Sequence, residues 1–165
     1  MTALVARRAR TDDVTAIKAL VDAYAGRVLL AKELITLYET VQEFWVVEVE
    51  GRIVGCGALH VLWLDLAEVR TVAVDPALAG RGIGAVLVGA LLRTAREVGV
   101  RRVFVLTFER EFFGRFGFVE IDGTPVSHDV YEQMRRSYDA GVAEFLDLAY
   151  VRPNTLGNAR MLLEF

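Results

Sequence analysis

The fold of this chain is decided by one stretch, Val72–Val98, which reads VAVDPALAGRGIGAVLVGALLRTAREV. It begins with the end of a β-branched apolar run and continues through a break that contains Pro76. Glycines then alternate with other residues at Gly80, Gly82 and Gly84, and apolar residues recur beyond them with the spacing of one helix face. The stretch therefore predicts a strand, a loop and a helix, with glycines where the helix begins.

The glycines at the start of the predicted helix indicate an anion-binding site. The first N–H groups of a helix have no partner within it, and they carry a partial positive charge. Glycine has no Cβ, so a phosphate can approach the backbone closely, and Arg81 adds a fixed charge beside it. We expect a phosphate or pyrophosphate here rather than a helix that merely starts with glycines, because glycine in a helix costs about 1 kcal/mol relative to alanine.

Two other phosphate-binding motifs fit this stretch less well. A P-loop ends in Gly-Lys-Ser/Thr, whereas residues 81–83 read RGI. The dinucleotide fingerprint G-x-G-x-x-A is matched by Gly80, Gly82 and Ala85. That fingerprint follows its strand directly, usually in the first βα unit of a chain. Here Pro76 and a loop intervene, and the unit lies in mid-chain.

The composition predicts one globular domain that covers residues 1–165. Hydrophobic residues make up 54% of the chain, which is long enough to bury a sizeable core. No apolar run reaches the roughly 18 residues that cross a bilayer, and charged residues stand where a signal peptide would need an apolar core. We therefore expect a cytoplasmic protein without membrane contact. The net charge of −3 offers no basic surface for nucleic acid.

Nothing in the sequence predicts a metal site. Cys56 is the only cysteine, and its apolar, strand-like surroundings indicate a small core residue. His60 and His128 are isolated and lack the spacing of metal ligands, so we expect a structural role for each.

The remaining pattern alternates strands and helices. Strands are predicted at Ala3–Arg8, Phe44–Val49, Arg52–Trp63, Leu66–Val74, Arg101–Phe108, Gly117–Ile121 and Ala159–Phe165. A helix with Thr11 as its N-cap and Asp12 and Asp13 in its first turn should run to about Tyr24. Further helices are predicted at about 32–41, 109–116 and 131–138, whereas 142–158 has no clear pattern. This order is typical of a mixed α/β layer architecture.

The deciding stretch resembles motif A of the GNAT superfamily, the acetyl-CoA-dependent N-acetyltransferases. That motif is a strand ending in V-x-P, then Arg/Gln-x-x-Gly-x-Gly/Ala at the start of a helix. Ala79 stands at the Arg/Gln position, and the other positions match at Val74, Pro76, Gly82 and Gly84. Residues 112–118, FFGRFGF, are similar to the family's aromatic helix that ends in Gly-Phe. The resemblance implies the GNAT fold, a mixed central sheet of about seven strands flanked by helices.

The resemblance also implies acetyl-CoA as co-substrate and no metal. In the family, the strand before the glycine loop splays from its neighbour, here Arg101–Thr107, and the pantetheine arm fills the gap. The residues expected to bind acetyl-CoA through this strand and loop are Val72, Ala73, Val74, Gly80, Arg81, Gly82, Ile83, Gly84 and Ala85.

Acetyl transfer to nitrogen requires a base, because amines are mostly protonated at pH 7 and an ammonium has no lone pair. Glu68 is the candidate, at a position where many GNAT enzymes carry a glutamate that takes the proton, often through a water. The alternative is a solvated glutamate at the end of a strand. In many family members a tyrosine of the aromatic helix acts as the general acid. That position here is Phe113, so no catalytic acid can be named.

Within the superfamily, the chain resembles amino-acid N-acetyltransferases of the N-acetylglutamate synthase type, in a short form without their kinase-like domain. Those enzymes catalyse the first step of arginine biosynthesis. The segments that carry this resemblance are Arg27–Lys32, Ala67–Val74, Glu111–Phe113 and Gly157–Leu162.

The resemblance implies a small amino-acid substrate, most simply L-glutamate. Two carboxylates need at least two cations or donor clusters. The matched segments supply the candidate substrate-binding residues Lys32, Arg70, Thr71, Asn158 and Arg160, and Arg135 and Arg136 are further candidate cations.

Other interpretations stay open. The chain could be a GNAT enzyme for another small amine or a protein N-terminus, or a non-catalytic acetyl-CoA-binding module. The sequence permits a homodimer but does not set the assembly, and it does not choose between glutamate and glutamine.

Overall fold

The structure of the protein, a computed structural model, describes residues 3–25, 32–155 and 157–165. Within these residues the strands are β1 (Ala6–Arg8), β2 (Phe44–Val49), β3 (Arg52–Trp63), β4 (Leu66–Val74), β5 (Arg102–Thr107), β6 (Val119–Glu120) and β7 (Ala159–Glu164). They form one seven-stranded sheet in the order β1-β2-β3-β4-β5-β7-β6. β4 and β5 pair in parallel, whereas β1 with β2, β2 with β3, β5 with β7 and β6 with β7 pair antiparallel. This mixed sheet with its helices confirms the predicted fold class.

The α-helices of the described chain are α1 (Val14–Asp22), α2 (Leu34–Glu39), α3 (Ile83–Val98), α4 (Arg110–Gly114), α5 (His128–Met134), α6 (Ala140–Phe145) and α7 (Arg152–Thr155). Short 3₁₀ turns lie at Thr11–Asp13, Val41–Glu43, Pro76–Leu78 and Ala149–Val151. The last two helices fall in the region that showed no clear sequence pattern. They are too short for a helical repeat to stand out, and α6 begins at a local signal, the Asp139 carboxylate that accepts the Val142 N–H at 3.0 Å.

The chain divides into two compact units. Unit 1 comprises residues 1–60 and 69–99, and unit 2 comprises residues 61–68 and 100–165. The single domain expected from the sequence stays a prediction, and each unit is described by itself below.

The core of unit 1 lies between its strands and the helices α1, α2 and α3. One face of α1 is fully buried through Val14, Ile17 and Val21, with the spacing expected of an amphipathic helix. Ile83 and Leu87 of α3 pack in a second cluster with Val47 and Val54 of the sheet.

Two glycines of β3 bring α3 close to the sheet. A Cβ added at Gly55 would lie 2.6 Å from Cγ2 of Ile83 and 3.0 Å from Cδ1 of Leu87. A Cβ added at Gly57 would lie 3.1 Å from Cδ1 of Leu91. The absence of side chains at these positions therefore sets the distance between helix and strand.

The predicted start of the first helix is wrong. Residues 11–13 form a 3₁₀ turn, α1 begins at Val14, and Thr11 does not cap it. Asp13 is buried and accepts from both terminal nitrogens of Arg7, at 2.8 and 3.0 Å, and from the Arg10 N–H at 2.8 Å. The hydrogen bonds from Arg7 lower the pKa of Asp13, against the effect of burial. This ion pair with β1, which the local pattern does not encode, draws Asp13 inward and delays the helix.

The core of unit 2 is built on β5. Val103, Phe104 and Val105 are all buried, which confirms the burial on both faces predicted from their continuous apolar run. The ring of Phe104 meets the ring of Phe145 edge to face, with 4.8 Å between centroids. β5 pairs along its full length with β7, from Arg102 opposite Glu164 to Thr107 opposite Ala159.

Candidate active site

β4 contains a backbone irregularity at Thr71. Its φ is +57°, in the left-handed region that β-branched residues rarely occupy. The residue is buried, and its carbonyl oxygen lies 3.6 Å from Sγ of Cys56 on the neighbouring strand. A residue in this conformation breaks the regular alternation of a strand and redirects the backbone groups that follow, which here are those of Val72, Ala73 and Val74.

Hydrogen bonds fix the backbone where β4 ends. The Tyr24 hydroxyl donates to the Val74 carbonyl at 2.5 Å, and the Asp75 N–H donates to the Val54 carbonyl at 2.8 Å. The Asp75 carboxylate accepts the Ala77 N–H at 2.9 Å and caps the 3₁₀ turn that Pro76 begins. Three hydrogen bonds within unit 1 therefore fix the path of the chain into the glycine loop.

The glycine loop presents an open backbone at the start of α3. Gly80 and Gly82 have φ of +80° and +85°, and a Cβ added at either would meet no atom within 4 Å. Gly82 is the N-cap of α3 and has no side chain to cap the first N–H groups, those of Ile83, Gly84 and Ala85. Arg81 is exposed beside them. Uncapped amides, left-handed glycines and open space around them fit a pyrophosphate group, and the binding of that group by these residues stays a prediction.

Several residues that shape this loop were not singled out from the sequence. Tyr24 lies 50 residues from its acceptor at Val74, and no local pattern signals such a bond. A signal did exist for the others: the Asp75-Pro76 pair is typical of a turn start, and Gly55 and Gly57 inside an apolar strand suggest close backbone approach.

In unit 2, Glu68 is buried with only 4% of its surface exposed. This excludes the alternative of a solvated glutamate at a strand end. Glu68 lies in β4, and in the parallel register it is opposite Phe104 of β5. A carboxylate at such a place requires compensating charge or hydrogen bonds, and such groups are frequent in functional sites.

Arg160 of β7 is bound to backbone carbonyls. Its Nε donates to Gly123 at 2.9 Å, its Nη1 to Glu144 at 3.3 Å, and its Nη2 to Phe145. Its guanidinium carbon lies 4.9 Å from the centroid of the Phe104 ring. Burial lowers the pKa of Arg160, and the negative charges of Asp147 and Glu68 oppose that shift.

Asn158 directly precedes β7, and its N–H donates to the Thr155 carbonyl at 3.1 Å. Its Oδ1 is buried and has no hydrogen-bond partner within the described ranges. A buried amide oxygen of this kind is an acceptor that a ligand N–H can satisfy. Asn158 and Arg160 belong to unit 2, as Glu68 does.

The other candidate substrate-binding residues are divided between the two units. Lys32, Arg70 and Thr71 belong to unit 1; the first two are half-buried, and each makes an interaction. In unit 2, the exposed residues Arg135 and Arg136 directly follow α5, and they contact Glu132 at 3.3 Å and Gln133 at 3.0 Å. These contacts do not test the substrate-binding predictions, which stay predictions.

Phe113 is a packing residue in unit 2. It is 5% exposed and meets Phe112 and Phe118 edge to face, with centroids 5.0 and 5.4 Å away. The aromatic helix therefore has a buried ring where many family members have a hydroxyl, and it supplies no acid at that position.

Across residues 3–25, 32–155 and 157–165, no group of three or more His, Cys, Asp or Glu could hold a metal ion. Nδ1 of His60 lies 2.9 Å from Oε1 of Glu43, which is the structural role predicted for this histidine. No helix in the described part of the chain is long and apolar enough to cross a membrane.

The fold and the glycine loop define an acetyltransferase of the GNAT type, and comparison with known families agrees. The family described as Acetyltransferase (GNAT) matches residues 15–118, and the chain belongs to it. GNAT acetyltransferases use acetyl-CoA, so the predicted enzyme class and co-substrate are confirmed.

Among individual relatives, the chain is 67% identical over 162 residues to the amino-acid acetyltransferase of Mycobacterium tuberculosis (strain ATCC 25618 / H37Rv), covering 96% of this chain and 93% of that protein. The crystal structure of Rv2747 from Mycobacterium tuberculosis in complex with CoA and NLQ superposes with a TM-score of 0.96 at 66% identity, over 98% of this chain and 99% of that one. N-acetylglutamate synthase from Neisseria gonorrhoeae, complexed with coenzyme A and N-acetyl-glutamate, gives a TM-score of 0.76 at 22% identity. This chain covers 35% of that longer protein, and the likeness shows the shared fold alone.

Proposed function

We propose that this protein transfers the acetyl group of acetyl-CoA to the α-amino group of an amino acid, and that the amino acid is L-glutamate. The product would be N-acetylglutamate, an intermediate of arginine biosynthesis. The observation that carries the proposal is the buried carboxylate of Glu68, three residues before the redirected backbone at Thr71 in the same strand. The close relative named as an amino-acid acetyltransferase supports the class of substrate.

The glycine loop binds the co-substrate, acetyl-CoA. The uncapped N–H groups of Ile83, Gly84 and Ala85 bind the pyrophosphate, and Gly80 and Gly82 leave room for it. Acetyl-CoA supplies an activated acetyl thioester when it is bound. The backbone of residues 72–74, redirected at Thr71, orients the end of the molecule that carries the acetyl group.

Glu68 performs the proton chemistry. Its carboxylate accepts a proton from the substrate ammonium, directly or through a water, and the amine gains the lone pair with which it attacks. Oδ1 of Asn158 accepts an N–H of the substrate, since this buried oxygen has no other partner within the described residues. Lys32 and Arg70 are the cations that we assign to the substrate carboxylates. The resemblance implies this role for Lys32, and both side chains are half-buried.

The test is release of CoA thiol from acetyl-CoA, measured by a colour reaction with each amino acid in turn. We expect selective turnover with L-glutamate, and about a hundredfold lower kcat in Glu68→Gln, because general-base catalysis typically contributes that much. Glu97→Gln on the exposed end of α3 is the matched control and should retain wild-type kinetics.

Two results would redirect the proposal. Unchanged kinetics in Glu68→Gln would remove this residue from the mechanism but leave the fold and the co-substrate site. Saturable binding of acetyl-CoA without turnover on any amino acid would discard the substrate class, and other small amines and peptide N-termini would then be tested. The cytoplasmic location stays a prediction, and a homodimer stays a possibility that the sequence permits.

A further inference from the structure

Arg160 lies on the face of the sheet that carries Glu68. The strand register places Glu68 opposite Phe104 and Arg160 opposite Leu106. Residues opposite each other in register point to the same face, and so do residues two apart along a strand. All four side chains therefore share one face of unit 2, and the strands of Glu68 and Arg160 are two spacings, or about 10 Å, apart.

The nitrogen atoms of Arg160 are already engaged by the backbone. Nε, Nη1 and Nη2 each donate to a carbonyl, those of Gly123, Glu144 and Phe145, and the plane of the group lies over the ring of Phe104. An arginine that binds a substrate carboxylate tightly uses two parallel N–H groups of its planar fork. Only two of the five N–H groups remain for a substrate carboxylate, which favours a role of Arg160 through Glu68 over direct binding of the substrate.

The carbonyl groups engage three of the five N–H donors of Arg160, but they carry no net charge to pair with its positive charge. Two carboxylates interact with that charge, Asp147 more strongly and Glu68 less. The Asp147 side chain is 48% exposed and also lies 3.5 Å from Arg152. Solvent and this second cation therefore screen its interaction with Arg160. Glu68 is buried, where charges interact more strongly than at the surface.

We propose that Arg160 is a positioning residue for Glu68, which keeps that carboxylate ionised by its charge and holds the backbone at Gly123 and at the end of α6 against the sheet. It acts on the reaction through Glu68 and does not contact the amino-acid substrate. The inference rests on the proposed role of Glu68 as the base, and it replaces the substrate-binding role that the resemblance suggests for Arg160.

A second arginine provides a matched control. Nη1 of Arg102 donates to the Pro125 carbonyl at 2.7 Å, so Arg102 holds the same segment that Arg160 holds at Gly123. The charge of Arg102 is paired with Asp65, 3.1 Å from its Nε. Loss of Arg102 therefore loosens the segment and removes only a cation that is already paired with Asp65.

The experiment measures kcat and KM for L-glutamate, and the thermal unfolding temperature, in Arg160→Gln, Arg160→Lys and Arg102→Gln. We expect Arg160→Gln to lower kcat about tenfold, because loss of the nearby cation favours the protonated, inactive form of the base, with KM for glutamate within about twofold of wild type. Arg160→Lys retains the charge and should recover part of that kcat. Arg102→Gln should lower the unfolding temperature but leave kcat unchanged.

Two outcomes would overturn the inference. A tenfold rise in KM for glutamate with unchanged kcat in Arg160→Gln would assign Arg160 to the substrate, and equal losses of kcat in the Arg102 and Arg160 variants would reduce its role to holding the segment. If Arg160→Gln does not fold, the same comparison of kcat with KM is made on Arg160→Lys. Failure of the proposed function is distinguishable, because it appears in the wild-type protein as absence of turnover on amino acids.

Discussion

At the scale of single residues, Asp13 connects β1 to the start of α1 through Arg7. Its carboxylate has a lowered pKa in the folded protein, so its contribution to stability is present above the unfolded pKa of about 3.9 and is lost as the pH falls through the folded value. We expect Asp13→Asn to lower the free energy of unfolding by about 2 kcal/mol at pH 7, because Arg7 loses its charged partner and the N–H groups of Arg7 and Arg10 lose a carboxylate acceptor. The difference from wild type should shrink below pH 4.

Urea unfolding at pH 7 and pH 3 measures this effect. Asp12→Asn is the control, since the Asp12 side chain is 73% exposed and should change stability by less than about 0.5 kcal/mol. An equal loss of unfolding free energy at both pH values in Asp13→Asn would show that the charge of the carboxylate does not contribute to stability.

At the scale of elements, the contact of β3 with α3 determines where the glycine loop lies. Gly55→Ala would bring a methyl group to 2.6 Å from Cγ2 of Ile83, the first residue of α3, whose side chain is buried and stiff. We expect a loss of about 1–3 kcal/mol in the free energy of unfolding, which is typical of overpacking. We also expect weaker acetyl-CoA binding, because the N–H groups at the start of α3 shift with the helix.

Urea unfolding and titration with acetyl-CoA measure the two effects. Gly89→Ala is the control in the same helix, where an added Cβ would meet only the end of Arg93 at 3.6 Å. That variant should be more stable than wild type by up to about 1 kcal/mol, because alanine favours the helix over glycine. Wild-type affinity for acetyl-CoA in Gly55→Ala would contradict the link between the packing and the loop.

The elements also show which features the sequence encodes locally. The bounds of β2, β3 and β4 were predicted to the residue. The hairpin that joins β2 to β3 at Glu50-Gly51 was also predicted, and both turn residues have the positive φ that such a turn requires. The helix after the glycines was predicted because it is sixteen residues long, enough for the spacing of its apolar face to repeat several times. The bonds of Arg160, to residues 15 to 37 positions away, leave no trace in any local pattern, which is why its substrate-binding role was the simpler hypothesis.

At the scale of the whole molecule, acetyl-CoA should stabilise the fold. The amides that we assign to its pyrophosphate are arranged only in the folded chain, so binding shifts the unfolding equilibrium. At a concentration one hundred times Kd the gain is about 2.7 kcal/mol, which for a chain of this size corresponds to a rise in Tm of about 5–10 °C. Pantetheine lacks the pyrophosphate and should give a much smaller rise in Tm at the same concentration. Equal rises with both ligands at that concentration would remove the loop from the binding site.

The burial of Cys56 has a practical consequence for all of these measurements. It is the only cysteine of the chain, it is inaccessible to solvent, and burial raises the pKa of its thiol to about 12. Only a thiolate reacts quickly with a disulfide reagent, so the folded protein should contribute no colour to an assay of released CoA. The same thiol reacts once a molecule unfolds. Without added acetyl-CoA, the slow appearance of one equivalent of colour per chain therefore records the rate at which the native state opens.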